Sequence, residues 1–199
     1  MVKVISPAEV IEAARWEIIN KNVFTAEWAY KTIYNWLVEE EFVDEEMGSG
    51  DKYEVMYYEK REPGNIKEVW FWWRAELIPK NNSYYKYRLI IDGHFLGLKE
   101  LEIMHEGQKV KTNHSELTLR CKADLVLDYL GKWKKNWFLK TFDDVFRKRI
   151  YYNDILKYKR DLYNRAYRLQ AEMKQFLKLN EHVIHPTFFH HKRGFEKQY

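Results

Sequence analysis

The chain has 199 residues, a formal net charge of +4 and a composition that is 46% hydrophobic and 17% aromatic. This length suits one hydrophobic core, and this apolar content excludes an intrinsically disordered chain. No run approaches the ~18 apolar residues of a membrane-spanning helix, and residues 1–12 lack the layout of a signal peptide. We therefore predict a soluble, cytoplasmic protein with one α+β domain over residues 1–179. A basic tail, rich in histidine and aromatic residues, follows over residues 180–199.

Two helices are predicted at the N-terminus. The first begins at Ser6, because Ser6, Pro7 and Glu9 have the spacing of a capping box with proline at the first helical position. Apolar residues then recur at helical spacing, namely Val10, Ile11, Ala14, Ile18 and Ile19. The second helix is predicted from Thr25 to about Glu41, and one apolar stripe runs along it, formed by Ala29, Ile33, Trp36 and Leu37. The glycine-containing segment 44–51 predicts a loop.

A curved antiparallel sheet of about five strands, connected as a meander, is predicted over residues 52–129. The hydrophobic period is two in this segment, and most odd-numbered residues are apolar, as in 69–77 and 117–129. Turn-forming residues separate the strands at 63–65, 79–83, 92–93 and 111–113. We expect the odd face to lie in the core and the even face to point away from it.

A β-bulge is predicted at Gly97. A two-residue turn at Asp92-Gly93 would exchange the odd and even faces in the strands that follow, yet those strands keep their odd residues apolar. One extra residue is therefore needed, and glycine is the residue best suited to a bulge.

Two further helices are predicted in the C-terminal third. The first is short and covers residues 141–150. The second is long, begins with Asn153 as its N-cap and ends near Leu179. Apolar residues of this second helix lie on one stripe, namely Ile155, Leu162, Ala166, Leu169, Met173 and Phe176. We expect this stripe to pack on the apolar face of the sheet.

The even face of the sheet is the first candidate site. Aromatic and basic residues alternate there with carboxylates, and the candidate ligand-binding residues are Trp70, Trp72, Arg74 and Arg88. Aromatic rings on an open sheet stack on bases, and cations neutralise phosphates. Cross-strand ion pairs would explain the same charges without a ligand.

The basic C-terminal third is the second candidate site. Residues 131–199 carry 17 Lys/Arg and 7 Asp/Glu, a net charge of +10, whereas the first 130 residues carry −6. Basic residues interleave with tryptophans here, and the candidates are Lys132, Trp133, Lys134, Lys135, Trp137, Arg147, Lys148 and Arg149. Such a cluster predicts salt-dependent binding to a polyanion, although solvated helices can show it too. RNA is favoured over DNA because the sequence has no helix-turn-helix or zinc-finger pattern.

Catalytic and metal-binding patterns are weak. No P-loop, nucleophile elbow or His-Glu-x-x-His motif is present, and Cys121, the single cysteine, lies in a strand pattern that predicts burial. The histidines of the tail, His182, His185 and His190, are the only metal-ligand candidates that the spacing offers, and Pro186 disrupts their helical geometry. We predict a protein without a cofactor that is not an enzyme.

Three functions follow from these patterns. The first is a binding protein that contacts RNA or a ribonucleoprotein through its basic C-terminal third. The second is a helix-grip-like module that holds a small apolar ligand between the sheet and the C-terminal helix, where Phe71, Trp73, Tyr85 and Tyr87 would line the pocket. The third is a structural subunit that forms a homo-oligomer through the face that carries Trp70 and Trp72.

Overall fold

The structure is a computed structural model that describes residues 9–42, 53–79, 82–105, 108–137, 139, 142, 145 and 149–179. It is an α+β fold with a five-stranded antiparallel sheet in the order β1-β5-β4-β3-β2. The elements, in chain order, are β1 (Glu9–Phe24), α1 (Ala26–Glu39), β2 (Glu54–Glu62), β3 (Ile66–Leu77), β4 (Tyr85–His105), β5 (Gln108–Leu127), α2 (Lys132–Lys135) and α3 (Tyr152–Phe176). The predicted sheet and C-terminal helix are therefore confirmed. The predicted loop at 44–51 and the tail at 180–199 lie outside the described residues.

The first predicted helix is wrong, because residues 9–24 form strand β1. This strand pairs with β5 and carries a bulge at Ala13, between Glu12 and Ala14. After the bulge, Ala14, Trp16 and Ile18 are buried and the residues between them are exposed. The sequence does not show this alternation clearly, because the adjacent Ile18 and Ile19 and the bulge at Ala13 give the apolar residues a spacing like that of a helix. In the fold, pairing with β5 outweighs the local helix propensity of this segment.

Helix α1 confirms the second predicted helix. It connects β1 and β2, which lie at opposite edges of the sheet, so it crosses the sheet's inner face. Thr25 is the N-cap residue, as predicted, but its side chain makes no capping hydrogen bond. Instead, the backbone N–H of Ala26 donates to Oδ1 of Asn113 in β5 at 3.2 Å. The cap of α1 is thus provided by the sheet.

Strands β2 to β5 form the predicted meander, but with fewer turns than expected. The turns predicted at 92–93 and 111–113 are wrong, since these residues lie inside β4 and β5. Gly93 faces Phe71 of β3, and a Cβ atom at Gly93 would lie 1.9 Å from the Phe71 ring. The glycine is therefore required by close packing inside the sheet and not by a turn.

The bulge predicted at Gly97 is confirmed. The register between β4 and β5 shifts by one residue between Leu96 and Lys99, and Gly97 has a φ of 64°. The reason given for it from the sequence was wrong, because no turn precedes it. The bulge instead lies where β4 passes the end of β3 and continues with β5 alone.

The odd-numbered residues of β3, of β4 up to Phe95 and of β5 over 117–127 form the inner face, as predicted, and both long helices pack on it. Trp16 donates a hydrogen bond from Nε1 to the carbonyl oxygen of Ala166 in α3 at 2.9 Å. The Tyr87 hydroxyl donates to Asp161 in α3 at 3.0 Å. The predicted apolar stripe of α3 is confirmed, and its fully buried members are Leu162, Ala166, Leu169 and Met173. The predicted N-cap, Asn153, is wrong, because the helix begins at Tyr152 and its N-cap residue is Tyr151, which makes no side-chain capping hydrogen bond.

Aromatic rings fill the core between the sheet and the helices. Phe71, Trp73, Tyr85 and Tyr87 are all buried. The Phe71 and Trp73 ring centroids are 5.3 Å apart, and Tyr85 lies 4.4 Å from Tyr158 of α3. At these positions the space between the sheet and α3 is occupied by side chains.

Candidate nucleic-acid interface

The outer face of the sheet, opposite the helices, carries the four residues that the even-face pattern predicted. The register places Trp70 beside His94, Trp72 beside Asp92, and Glu76 beside Arg88 on adjacent strands. Trp70, Trp72, Arg74 and Arg88 are thus brought to one face of the sheet, although their partners there are side chains of the protein itself.

Ion pairs hold the two arginines. The Arg74 guanidinium donates to Oδ1 of Asp92 at 2.7 Å and to the backbone carbonyl of Trp73 at 2.8 Å. Arg88 donates to Glu76 at 3.2 Å, and Lys86 donates to the same carboxylate at 2.7 Å. Burial alone would raise the pKa of Glu76, but these two cations outweigh it and lower the pKa below its usual value.

Other cations of the outer face are also paired, some across strands and some within one strand. Arg120 lies 2.7 Å from Glu17 across to β1, and Lys122 lies 2.9 Å from Asp124. The remaining pairs are Arg15 with Glu12, Lys21 with Glu116, and Lys60 with Glu62. Since these pairs satisfy the cations of this face locally, they favour the explanation that needs no ligand.

The tryptophans of the outer face have different settings. Trp70 stacks on His94 with centroids 4.8 Å apart and contacts Tyr58 at 5.3 Å. His94 in turn is hydrogen-bonded to Glu68 at 2.9 Å. Trp72 is 42% exposed, and Tyr58 is 52% exposed. Trp70 is therefore part of a stacked row, and Trp72 presents its ring to solvent.

Among the candidate RNA-binding residues that precede α3, one is packed against the fold and others are exposed. Trp133 contacts Tyr84 at 5.2 Å and Tyr151 at 5.6 Å between ring centroids, so it joins α2 to the remainder of the fold. Trp137 is 80% exposed. The exposed cations of this segment are Lys132, Lys135 and Arg149. The side chain of Lys134 and the residues Arg147 and Lys148 lie outside the described part of the chain.

The exposed side of α3 adds cations that were not singled out from the sequence. Lys157 and Arg160 are exposed, Lys159 is half-buried, and the aromatic residues Tyr152 and Tyr163 are exposed nearby on the same helix. Spacings of three and four residues place 153, 157, 160 and 164 on one side of a helix. This spacing on the polar side of the predicted helix is the sequence pattern that could have indicated these cations.

No ion pair within the described residues involves two cations of α2, the three cations of the first half of α3, or Arg149 between these helices. These cations are Lys132, Lys135, Arg149, Lys157, Lys159 and Arg160. The second half of α3 differs, since Arg165 lies 2.8 Å from Glu40 and Arg168 lies 2.8 Å from the same carboxylate. The two halves of α3 thus differ in the pairing of these cations, and the cations of the N-terminal half have no carboxylate paired with them in the described part of the chain.

A groove of about 720 Å³ runs beside this end of α3, between the helix and the loop after β3. Its polar lining includes Asn153, Lys157, Arg160 and Asn164. The carboxylate of Asp161, which also lines the groove, already accepts hydrogen bonds from Tyr87 and Arg165. The arrangement can hold an anion, with amide and cationic donors along one wall.

Chemistry of other kinds finds less support in the geometry. Burial raises the pKa of the Cys121 thiol well above its usual range, which makes it a poor nucleophile. Within the residues that the structure describes, no cluster of three His, Cys, Asp or Glu side chains is placed to hold a metal ion. The histidines His182, His185 and His190 lie outside those residues. In the same part of the chain, no helix has both the length and the hydrophobicity to cross a membrane.

Comparison with protein-family models and with curated proteins finds no match to this chain.

Proposed function

We propose that the protein binds RNA, or the RNA-bearing surface of a ribonucleoprotein, through α2 and the N-terminal half of α3. The observation that carries this proposal is the set of six cations that form no ion pair within the described residues, of which five lie on these helices and the sixth, Arg149, lies between them. A cation that lacks an internal partner is available to neutralise a phosphate, and the counterions that this releases from the RNA supply binding free energy.

Exposed aromatic rings favour RNA over a simple polyanion. Trp137, Tyr152 and Tyr163 lie on the same third of the chain as the cations, and all three are exposed. Stacking of a base on such a ring contributes about 1–3 kcal/mol and works with any base. An acidic protein partner would use the cations but would leave these rings without a planar partner.

The experiment is a titration of fluorescently labelled single-stranded RNA with the full-length protein, followed by anisotropy at several salt concentrations. We expect binding that weakens steeply with salt, because each phosphate contact adds about 0.7 to the slope of log affinity against log salt for single strands. Duplex DNA at the same salt is the comparison ligand.

Two matched double variants locate the site. Lys157→Ala with Arg160→Ala should weaken RNA binding about tenfold or more and reduce the salt slope by about 1.4, since two phosphate contacts are lost. Lys86→Ala with Arg88→Ala removes the same charge from the outer face and should change binding less than twofold. Absence of binding at low salt, or equal loss in both variants, contradicts the proposal.

A second candidate function is self-association through the outer face, and the exposed apolar residues at one end of that face favour it. They are Ile19, Val23, Tyr58, Trp72 and Leu96. Tyr58, Trp72 and Leu96 lie on the three neighbouring strands β2, β3 and β4, and Ile19 and Val23 lie on β1, on the other side of β5. Exposed apolar patches with a polar rim are typical of interfaces between subunits. Light scattering tests this candidate: a dimer that Trp72→Ser converts to a monomer supports it, and a wild-type monomer contradicts it.

A further inference from the structure

A second groove, of about 690 Å³, opens between α1 and the end of the inner face formed by β2, β3 and β4. Aromatic rings form much of its lining, namely Tyr30, Tyr34, Tyr53, Tyr57 and Phe95. No residue of α2 or α3 lines it. The groove is therefore distinct from the basic surface to which we assign RNA binding.

One carboxylate at this groove, that of Glu54, has only neutral partners. Its Oε1 atom accepts a hydrogen bond from the Tyr30 hydroxyl at 2.5 Å and another from Nε1 of Trp73 at 3.3 Å. Within the described residues, no lysine or arginine forms an ion pair with it. Glu54 is therefore a carboxylate of the groove with no cationic side chain paired with it in the described part of the chain.

The other charges that line the groove are compensated. Lys31 lies 2.6 Å from Glu27, and Lys67 lies 3.9 Å from Glu59. Burial raises the pKa of Tyr30 and, aided by the nearby Glu54 charge, raises the pKa of Tyr53 to about 12. Both phenols are thus neutral at physiological pH. The groove combines aromatic rings with one carboxylate that forms no ion pair within the described residues.

We propose that this groove binds a small organic cation with a quaternary ammonium head group. Aromatic faces attract a cation through their ring quadrupoles, and a nearby carboxylate adds a longer-range attraction. A primary ammonium would bring three N–H donors, of which Glu54 can accept one while the aromatic walls leave the others unsatisfied, at a cost in desolvation. A quaternary ammonium has no N–H group, so it avoids that cost and keeps the charge.

Three probes of similar size separate charge from shape. Choline carries the quaternary ammonium, 3,3-dimethylbutan-1-ol is its uncharged isostere, and ethanolamine replaces the methyl groups by N–H donors. We expect calorimetric titration of the full-length protein to give an affinity for choline at least about tenfold higher than for either of the others. Equal affinity for the isostere would overturn the role of charge. Equal or higher affinity for ethanolamine would overturn the quaternary assignment, and absence of choline binding at millimolar concentration would overturn the site.

Substitution of the carboxylate tests its role directly. Glu54→Gln should lower the affinity for choline about tenfold and leave the affinity for the uncharged isostere unchanged. Glu27→Gln is the matched control, because it removes a carboxylate of the same groove that is already paired with Lys31, and it should have less than a twofold effect. A result in which both variants lose choline equally would contradict the assignment to Glu54.

The probes on the wild-type protein remain decisive if Glu54→Gln fails to fold. The double variant Lys157→Ala with Arg160→Ala should bind choline as the wild type does, because those residues lie on the other groove. Loss of RNA binding and loss of choline binding are therefore separable outcomes.

Discussion

Cations on the outer face of the sheet and cations on the N-terminal half of α3 differ in whether a carboxylate is paired with them. On the sheet, a neighbouring strand places a carboxylate beside three arginines: Glu76 pairs with Arg88, Asp92 with Arg74 and Glu17 with Arg120. On the helix, Lys157 and Arg160 have no such neighbour within the described residues. A sheet supplies facing side chains from the next strand, whereas the solvent side of a helix has no facing element. Composition alone does not distinguish the two settings.

Substitution of Glu40 should give the largest effect, because this carboxylate forms ion pairs with two cations of α3. Its side chain is mostly buried and binds both Arg165 and Arg168, which ties the end of α1 to α3. Glu40→Gln should lower the free energy of unfolding by about 1 kcal/mol, since the exposed Arg168 loses its carboxylate partner and the half-buried Arg165 keeps only Asp161. It should also raise RNA affinity severalfold by extending the basic surface. Urea unfolding and anisotropy titration measure the two effects.

The neighbouring Glu39 provides the control for Glu40. Glu39 is exposed, so Glu39→Gln removes the same formal charge with an expected stability change within about 0.5 kcal/mol. If Glu40→Gln stabilised the protein, or if both variants raised RNA affinity equally, pairing would not be what distinguishes the two halves of α3.

Two exposed tryptophans test which of the two surfaces stacks on RNA bases. Trp137 lies on the basic third, and Trp72 lies on the ion-paired face; both are exposed. Trp137→Ala should weaken RNA binding about tenfold, which is the typical cost of losing one stacked base. Trp72→Ala should leave RNA binding unchanged within about twofold, whichever oligomeric state it affects. The reverse order of effects would move the RNA site to the sheet.

Much of the fold could be predicted from the sequence because period-two burial is a local signal. The inner face of β3, β4 and β5 and the buried stripe of α3 were assigned correctly for that reason. Strand β1 was not, because its pairing with β5 is separated from it by about a hundred residues and no local pattern records it. Likewise, the Asp92-Gly93 pair predicts a turn, but the structure requires glycine at position 93 because the Phe71 ring on the adjacent strand leaves no room for a Cβ atom.

The sequence predicts which charged residues the candidate site contains, but it does not predict which of them form ion pairs. The sequence placed Arg74 and Arg88 on one face and carboxylates on the same face, but only the register decides which of them meet. The basic character of the C-terminal third was visible as a charge asymmetry. Its division into paired Arg165 and Arg168 and unpaired Lys157 and Arg160 depends on where α1 ends, and that position is set by tertiary packing.

Acid titration gives the smallest expected effect and tests the paired side of the comparison. Because Lys86 and Arg88 lower the pKa of Glu76, the stabilisation from these pairs is present above the ordinary glutamate pKa of about 4.3 and is lost as pH falls through the lower value in the folded state. The carboxylate is partly exposed, so the loss attributable to it should be about 0.5–1 kcal/mol. Glu76→Gln should remove this part of the acid dependence. Urea unfolding of both proteins at about pH 7 and about pH 3 measures it. Identical acid dependence in both would show that the ion pairs of the outer face contribute no net stability, and that their charges are held together by the register alone.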